Sequence, residues 1–481
     1  MSAFPHVLVI GAGAFGASAA LELAHLGHRV TVVDRSADGF AAENAASNDL
    51  NKIIRADYSD PHYRDLCKKA MHLWRTKPLY SKYFHETGIF FRSGTPAPHS
   101  AAWVAQGVEN ASAAAGGRTM DPALPRAFPL QSADDAVRAF PPALRPLLGD
   151  ACASFGTQTG YFNPQGGWAE AKAATHAVLE EAQRLGAQIV PDVAIVSLMY
   201  AHDGSPKPRV CGAIARDGRR FPADAVVLAV GSWTAGLLAQ LQLSPMRDIV
   251  RPSAHCVLTL RLAPEVAKLF HGAPVTFNMR SSGFYSFEPN ADGILKCAIH
   301  GRGFATPSPR DYAGTDFPCQ PDHGHVAKML AEIHALFPFL HLEGPAKNAS
   351  VHFVRICWYS DSVDENFVID VHPAADGLLV ASGDSGHAFK VRAAGACSRA
   401  QFLPVLGRLV ASRLLHIRND SEIAPEYGLS SHQEYVFSFA HHEAINDPQY
   451  QRTHTIDALR IAEGGADAQE AHMFDALKPK L

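Results

Sequence analysis

No stretch of this chain runs for 18 uninterrupted apolar residues, so a membrane-spanning helix is not expected. No block of lysine and arginine is present and the formal net charge is only −4, which argues against nucleic acid as a partner. The eight cysteines stand apart, at positions 67, 152, 211, 256, 297, 319, 357 and 397, with no Cys-x-x-Cys pair. Such spacing suits neither a disulfide framework nor a zinc centre and points to a reducing compartment. The 25 histidines come closest at His323/His325 and His441/His442, among Pro, Gly or acidic residues, so no metal is expected. The first Lys or Arg is Arg29, after the apolar N-terminal run rather than before it, unlike a secretory leader. What remains is a globular composition, 47% apolar and 19% charged over 481 residues. At about 100–200 residues per domain there is room for two to four domains.

The first of these announces itself. Val7–Ile10 is a short apolar run, followed by Gly11-Ala12-Gly13-Ala14-Phe15-Gly16, an alanine-rich helical stretch to Leu26, and a second strand, Arg29–Val33, ending at Asp34. Strand, glycine turn, helix, strand and acid fill a dinucleotide-binding unit. Gly11 permits the tight turn, Gly13 lets backbone approach a pyrophosphate, and Gly16 lets the helix close on the strand. The helix start offers unpaired N–H groups to an anion, and Asp34 can accept from a ribose hydroxyl.

Further along, six prolines between Pro122 and Pro146 argue against regular structure. Gly166-Gly167-Trp168 opens a helical stretch, Ala169–Leu185. Apolar strands at 225–230 and 378–382 each run into glycine, as the first strand does, which suits one nucleotide domain interrupted by another. Residues 246–354 alternate β-branched and aromatic residues with turns, predicting a mostly antiparallel sheet. The tail after 426 is polar and histidine-rich.

Several separated motifs now carry a resemblance. They are Gly11–Gly16 with Asp34-Arg35; Ala46 to Arg55 (ASNDLNKIIR); Gly160-Tyr-Phe-Asn with Gly166-Gly-Trp-Ala169; Ala229-Val-Gly-Ser-Trp-Thr234; Phe287-Glu-Pro with Lys296; Cys357-Trp-Tyr; and Ser385-Gly-His-Ala-Phe-Lys390. In this order they resemble the FAD-dependent amine oxidases grouped with monomeric sarcosine oxidase, fructosyl amino acid oxidase (amadoriase) and fungal saccharopine and pipecolate oxidases. The resemblance covers residues 1 to about 425. It implies an α/β FAD-binding domain of the Rossmann-like, glutathione-reductase type with an inserted α+β substrate domain built on a mostly antiparallel sheet. The expected ranges are 1–94, 155–245 and 355–425 for FAD, 95–154 and 246–354 for substrate, and 426–481 as a C-terminal extension.

The same resemblance implies site roles. Cys357 would be bonded to the flavin 8α-methyl carbon; a thiolate can add to the methide tautomer of the ring, and a nearby cation would favour that thiolate. Lys296 would stand near flavin N5, where O2 is reduced. Arg55 and Lys390 would converge on a substrate carboxylate, one by planar two-point bonding and one as a point charge. Lys52 would lie close to the flavin, His300 and Tyr359 would line the cavity, and Glu288 is a candidate for the sugar side in amadoriase-like substrates. Ala14, Phe15, Arg35, Ser47, Val193, Gly231, Asp384, Gly386 and His387 join the glycine motif as candidate FAD contacts. The implied reaction takes a hydride from the carbon beside nitrogen, hydrolyses the imine and turns O2 into hydrogen peroxide. The expected partners are a small amine with a carboxylate and O2, the expected state a monomer. An oxidative cyclase of amine natural products and a nicotinamide dehydrogenase are the alternatives.

Two departures stand out. Ala388 replaces a usual glycine, and eleven extra residues, 391–401, separate Lys390 from Phe402-Leu-Pro-Val-Leu-Gly407, where relatives run straight into a helix. An extended surface loop is expected there. The terminal Pro479-Lys480-Leu481 approximates a peroxisomal import signal, so the expected location is peroxisomal or cytoplasmic.

Overall fold

The computed structural model describes residues 5–58, 60–92, 100–114, 126–148, 160–201, 207–243, 249–278, 282–301, 303, 323–362, 366–385, 399–415 and 437–438. Gly386, His387, Ala388, Lys390, residues 391–398 and the terminal tripeptide lie outside the described residues.

The three strands that run into glycine become neighbours. Leu378–Ser382, Ala225–Leu228 and His6–Ile10 lie side by side and parallel in a six-stranded sheet. Arg29–Val33 and Gln188–Val190 extend it in parallel, and Val368–Val371 closes the other edge antiparallel. The central strands of this sheet are short and mostly apolar, as expected where both faces are covered. On one face the helix Ala14–His25 lies against the helix Leu403–Leu414. The approach is close: a Cβ on Gly407 would stand 2.0 Å from the Ser18 carbonyl oxygen. Ser18 Oγ uses that proximity, donating to Leu403 O at 2.7 Å and accepting from Gly407 N at 2.7 Å. Leu403, Val405, Leu406, Leu409 and Val410 are all buried beneath, each worth about 1.5–3 kcal/mol in removed apolar surface.

A second, eight-stranded sheet takes in Ala349–Ser362, Val250–Leu262, Ile294–Ile299, Phe284–Ser286, Val275–Asn278, Ile89–Arg92, Gly160–Asn163 and Phe128–Leu130, in that spatial order. Every pairing is antiparallel except that of Val275–Asn278 with Ile89–Arg92. Its membership crosses the expected ranges: Ile89–Arg92 and Gly160–Asn163 come from segments assigned to the FAD part, and Ala349–Ser362 straddles position 355. The antiparallel expectation for 246–354 is thus met within a mixed sheet that also draws strands from outside that range.

The proline-rich stretch corrects an expectation. It holds a strand, Phe128–Leu130, and a helix, Ala133–Arg138. Pro129 is tolerated because its strand is the last of the sheet, and the helix falls between prolines with Ser132 accepting from Asp135 N as its cap. The helix expected from Ala169 begins at Ala171, because Gly167–Ala169 is a strand paired with Lys52–Ile54. Of the C-terminal extension Phe437 and Ser438 are described; Phe437 is buried against Tyr63 and Phe367, and its carbonyl accepts from Ile369 N at 3.0 Å.

Candidate active site and cofactor cleft

A cleft opens where the glycine-ended strands stop. Gly11, Gly13, Ala14, Phe15, Asp34, Arg35, Ser47, Val193, Gly231 and Asp384 all line it. The glycines are required by contact. A Cβ on Gly11, whose φ is 103°, would lie 2.4 Å from Ala229 O, and one on Gly16 would lie 1.8 Å from Gly11 O. At the helix start Ser47 Oγ accepts from Ala14 N at 2.8 Å. Asp34 accepts from Ala12 N and Ser36 N, and burial pushes its carboxyl up despite those bonds. The Arg35 guanidinium sits 4.3 Å above the Trp233 ring at the rim.

Beyond the cleft the chemistry turns cationic. Arg355, Cys357 and Tyr359 share one face of the Ala349–Ser362 strand by its period of two. Lys52 Nζ lies 3.8 Å from Cys357 Sγ. Lys296, fully buried, donates to Asp49 Oδ2 and to Asn51 O, each at 2.7 Å. Asp49 also binds Lys52, and Arg355 at 3.0 Å. Burial alone would raise the Asp49 carboxyl, but Lys296, Lys52 and Arg355 hold it well below the usual carboxylate range. Burial draws the Lys296 ammonium down to about 8, with Asp49 opposing and Lys52 assisting.

Arg55 occupies a neighbouring buried position. Asp57 Oδ1 accepts from its Nη1 at 2.7 Å, and Tyr161 OH donates to the other carboxylate oxygen at 2.8 Å. The Tyr58 ring lies 4.7 Å below the guanidinium. His300 is pushed down to about 4, first by burial and then by Arg55. Tyr359 stacks on His255 at 3.9 Å, with the His300 ring 6.3 Å from Tyr359.

Glu288 faces elsewhere. Its two oxygens accept from Trp168 Nε1 at 2.9 Å and Gly272 N at 2.7 Å, and Trp168 stacks under His85. Gln401, last of the eleven extra residues, is fully buried rather than part of a surface loop. It accepts from Arg55 N at 3.3 Å, and its carbonyl accepts from Trp74 Nε1 at 2.9 Å. Asp49, Asp57, Tyr161, Arg355, His255 and Gln401 carry this geometry without having been singled out by sequence. The signal for Arg355 was its even spacing from Cys357 on a strand; for Asp49 it was the i, i+3 offset from Lys52.

A mostly parallel sheet whose glycine-ended strands open on a cleft with a glycine-only floor, joined to a sheet carrying buried cations and a thiol, defines a dinucleotide-dependent redox enzyme. The chain belongs to the DAO family of FAD-dependent oxidoreductases, whose profile matches residues 6–398. It is similar to L-saccharopine oxidase of Schizosaccharomyces pombe, 28% identical, with 85% of this chain and 89% of the relative covered. It is also similar to amino acid oxidase imqH of Aspergillus flavus, 27% identical, covering 87% and 94%. Among solved structures, Amadoriase I from Aspergillus fumigatus superposes with a TM-score of 0.68 at 29% identity, covering 91% of this chain and 92% of that one.

The residues present suit FAD. The cleft has the glycine-only approaches that a pyrophosphate needs, and a carboxylate, Asp34, just after the second strand.

Proposed function

We propose that the protein oxidises a secondary amine bearing a carboxylate: an N-substituted amino acid of the sarcosine, pipecolate, saccharopine or fructosyl amino acid type. The observation that carries the reading is the buried cation cluster beside Cys357, next to the Arg55–Asp57 pair. The saccharopine and amino acid oxidases among the relatives support it.

In this reading Gly11, Gly13, Ala14, Gly16, Asp34, Ser47, Val193 and Gly231 hold the dinucleotide, and Cys357 tethers the ring covalently. Bound FAD supplies the hydride acceptor and returns the electrons to O2. Overall the amine loses two electrons and two protons across its C–N bond; water then splits the imine into a carbonyl compound and an amine, and O2 leaves as hydrogen peroxide. Arg55 receives the substrate carboxylate, its guanidinium oriented by Asp57; Lys390 is assigned a second contact by resemblance. His300, neutral above about pH 4 because it is buried, accepts a hydrogen bond from the neutral amine, whose lone pair must be available for hydride loss. Lys52 places positive charge beside the Cys357 sulfur, favouring thiolate. Lys296 places positive charge where superoxide forms. The second sheet would then be an inserted substrate-binding unit covering the ring.

Acid precipitation followed by intact mass tests the tether: a yellow pellet heavier by one FAD is expected, and a colourless pellet overturns the bond at Cys357. A panel of N-substituted amino acids with peroxide detection tests the substrate class. Flavin that no member of the panel reduces overturns it.

A further inference from the structure

Asp49 has no part of its own in the proposed chemistry, yet the buried charges meet on it. Oδ2 accepts from Lys296 Nζ at 2.7 Å and from Lys52 Nζ, while Oδ1 accepts from Leu50 N at 2.9 Å and faces Arg355 Nη2 at 3.0 Å. The cations arrive from the strands Lys52–Ile54, Ile294–Ile299 and Ala349–Ser362. The loop that carries Asp49 is fixed at its start by a bridge between Ala45 and Trp358, and near its end by the bond from Lys296 to Asn51 O. Asp49 is 2% exposed and Lys296 0%.

We propose that Asp49 is the positioning residue of the oxygen-reacting centre: its carboxylate holds the Lys296 ammonium in place, and charged, while keeping Lys52 and Arg355 at fixed distances around it. The inference rests on the oxidase reading above and deepens it. Lys296 pays for its burial, and Asp49 supplies the opposing charge. The other titratable and charged groups around that ammonium, among the described residues, include Lys52, Arg355, Tyr285, Cys297 and Cys357. Without the carboxylate the two cations only repel it, so the ammonium gives up its proton more readily. The expected behaviour is a Lys296 titration near pH 8 in the native enzyme, displaced downward by about one unit or more in Asp49→Asn.

The test reads the protonation of Lys296 in the flavin-bound enzyme by lysine-selective carbon and nitrogen NMR, with the resonance assigned through Lys296→Met. In parallel, stopped-flow measures reoxidation of the reduced enzyme by O2 against pH. In Asp49→Asn the inflection and the alkaline limb of reoxidation should move down together, and at pH 8 reoxidation should fall by about fivefold or more. Should Asp49→Asn not fold with three cations left around a neutral amide, Asp49→Asn/Lys52→Met removes one of them and is titrated against Lys52→Met alone. An inflection that does not move down when Asp49→Asn is introduced, from the native enzyme or from Lys52→Met, overturns the role of Asp49 while leaving the oxidase reading intact. Reoxidation by O2 unchanged in Lys296→Met overturns the role of Lys296 in that reading, and the proposal with it.

Discussion

The nucleotide cleft and the cation cluster are built on opposite principles. The cleft is shaped by what its residues lack: Gly11 and Gly16 have no room for a Cβ, and the binding groups are largely backbone. Its glycine turn and its acid come from the contiguous segment His6–Asp34, while the rest of the lining is drawn from later parts of the chain such as Ser47, Val193, Gly231 and Asp384. The cluster is shaped by charges that would each be costly alone. Asp49 with Lys52, Lys296 and Arg355 come from three distant segments and are tolerable in the interior only together. A backbone cradle is robust to changes elsewhere, whereas a charge cluster couples every member to the rest. The first is therefore expected to fail locally, the second collectively.

The sharpest way to break the contrast is Lys296→Met. A cation about 4 Å from superoxide, at an effective dielectric of about 20, is worth about 4 kcal/mol. Reoxidation by O2 should slow by about three orders of magnitude, with flavin reduction by amine much less affected; stopped-flow traces of both half-reactions decide it. Next comes His300, held down to about 4 against about 6.5 for a free imidazole. Because the folded form resists the proton that the unfolded chain accepts, stability is unaffected above about pH 6.5 and is lost as pH falls towards 4. The loss amounts to about 3 kcal/mol. His300→Asn should flatten this part of the melting-temperature profile, leaving the carboxylate limb at lower pH. On the cleft side, Gly16→Ala should cost about 1–3 kcal/mol by overpacking against Gly11 O, read from denaturant midpoints, without moving the Lys296 titration. The smallest effect is Arg35→Met, which removes the stacking on Trp233. A loss of about 0.5–1 kcal/mol should weaken FAD binding a few-fold, measured in a Cys357→Ser background that cannot form the tether.

The two regions also differ in how much of them the sequence disclosed. The strand, turn, helix, strand and acid of 7–34 are read locally because they form one supersecondary unit at a fixed spacing. The repeated pattern of apolar strand then glycine located the neighbouring strands 225–228 and 378–382 because each carries the same local signature. Lys296 was conspicuous as a charge inside an apolar strand, but its partner Asp49 is 247 positions away, and the local i, i+3 offset from Lys52 does not point from Asp49 to Lys296. Arg55 was read as a substrate ligand, while Asp57 and Tyr161, which orient it, depend on tertiary packing. Glu288 was placed by analogy with sugar-binding relatives, and here Trp168 and Gly272 take up both its oxygens. Gln401 ran against the surface-loop expectation because an unmatched segment carries no sign of where it ends in the core.

The ladder between Val250–Leu262 and Ala349–Ser362 has a consequence for assembly. It sets His255 opposite Cys357 and Ser253 opposite Tyr359, with one irregularity, between Thr259 and Leu260. A slip by a single position would turn Arg355, Cys357 and Tyr359 away and present Ile356, Trp358 and Ser360 in their stead. Thiol, guanidinium and phenol would leave together, so no half-built centre could arise from such an error. The length of this pairing acts as a vernier: a chain that has zipped it correctly has aligned three reactive groups in one event.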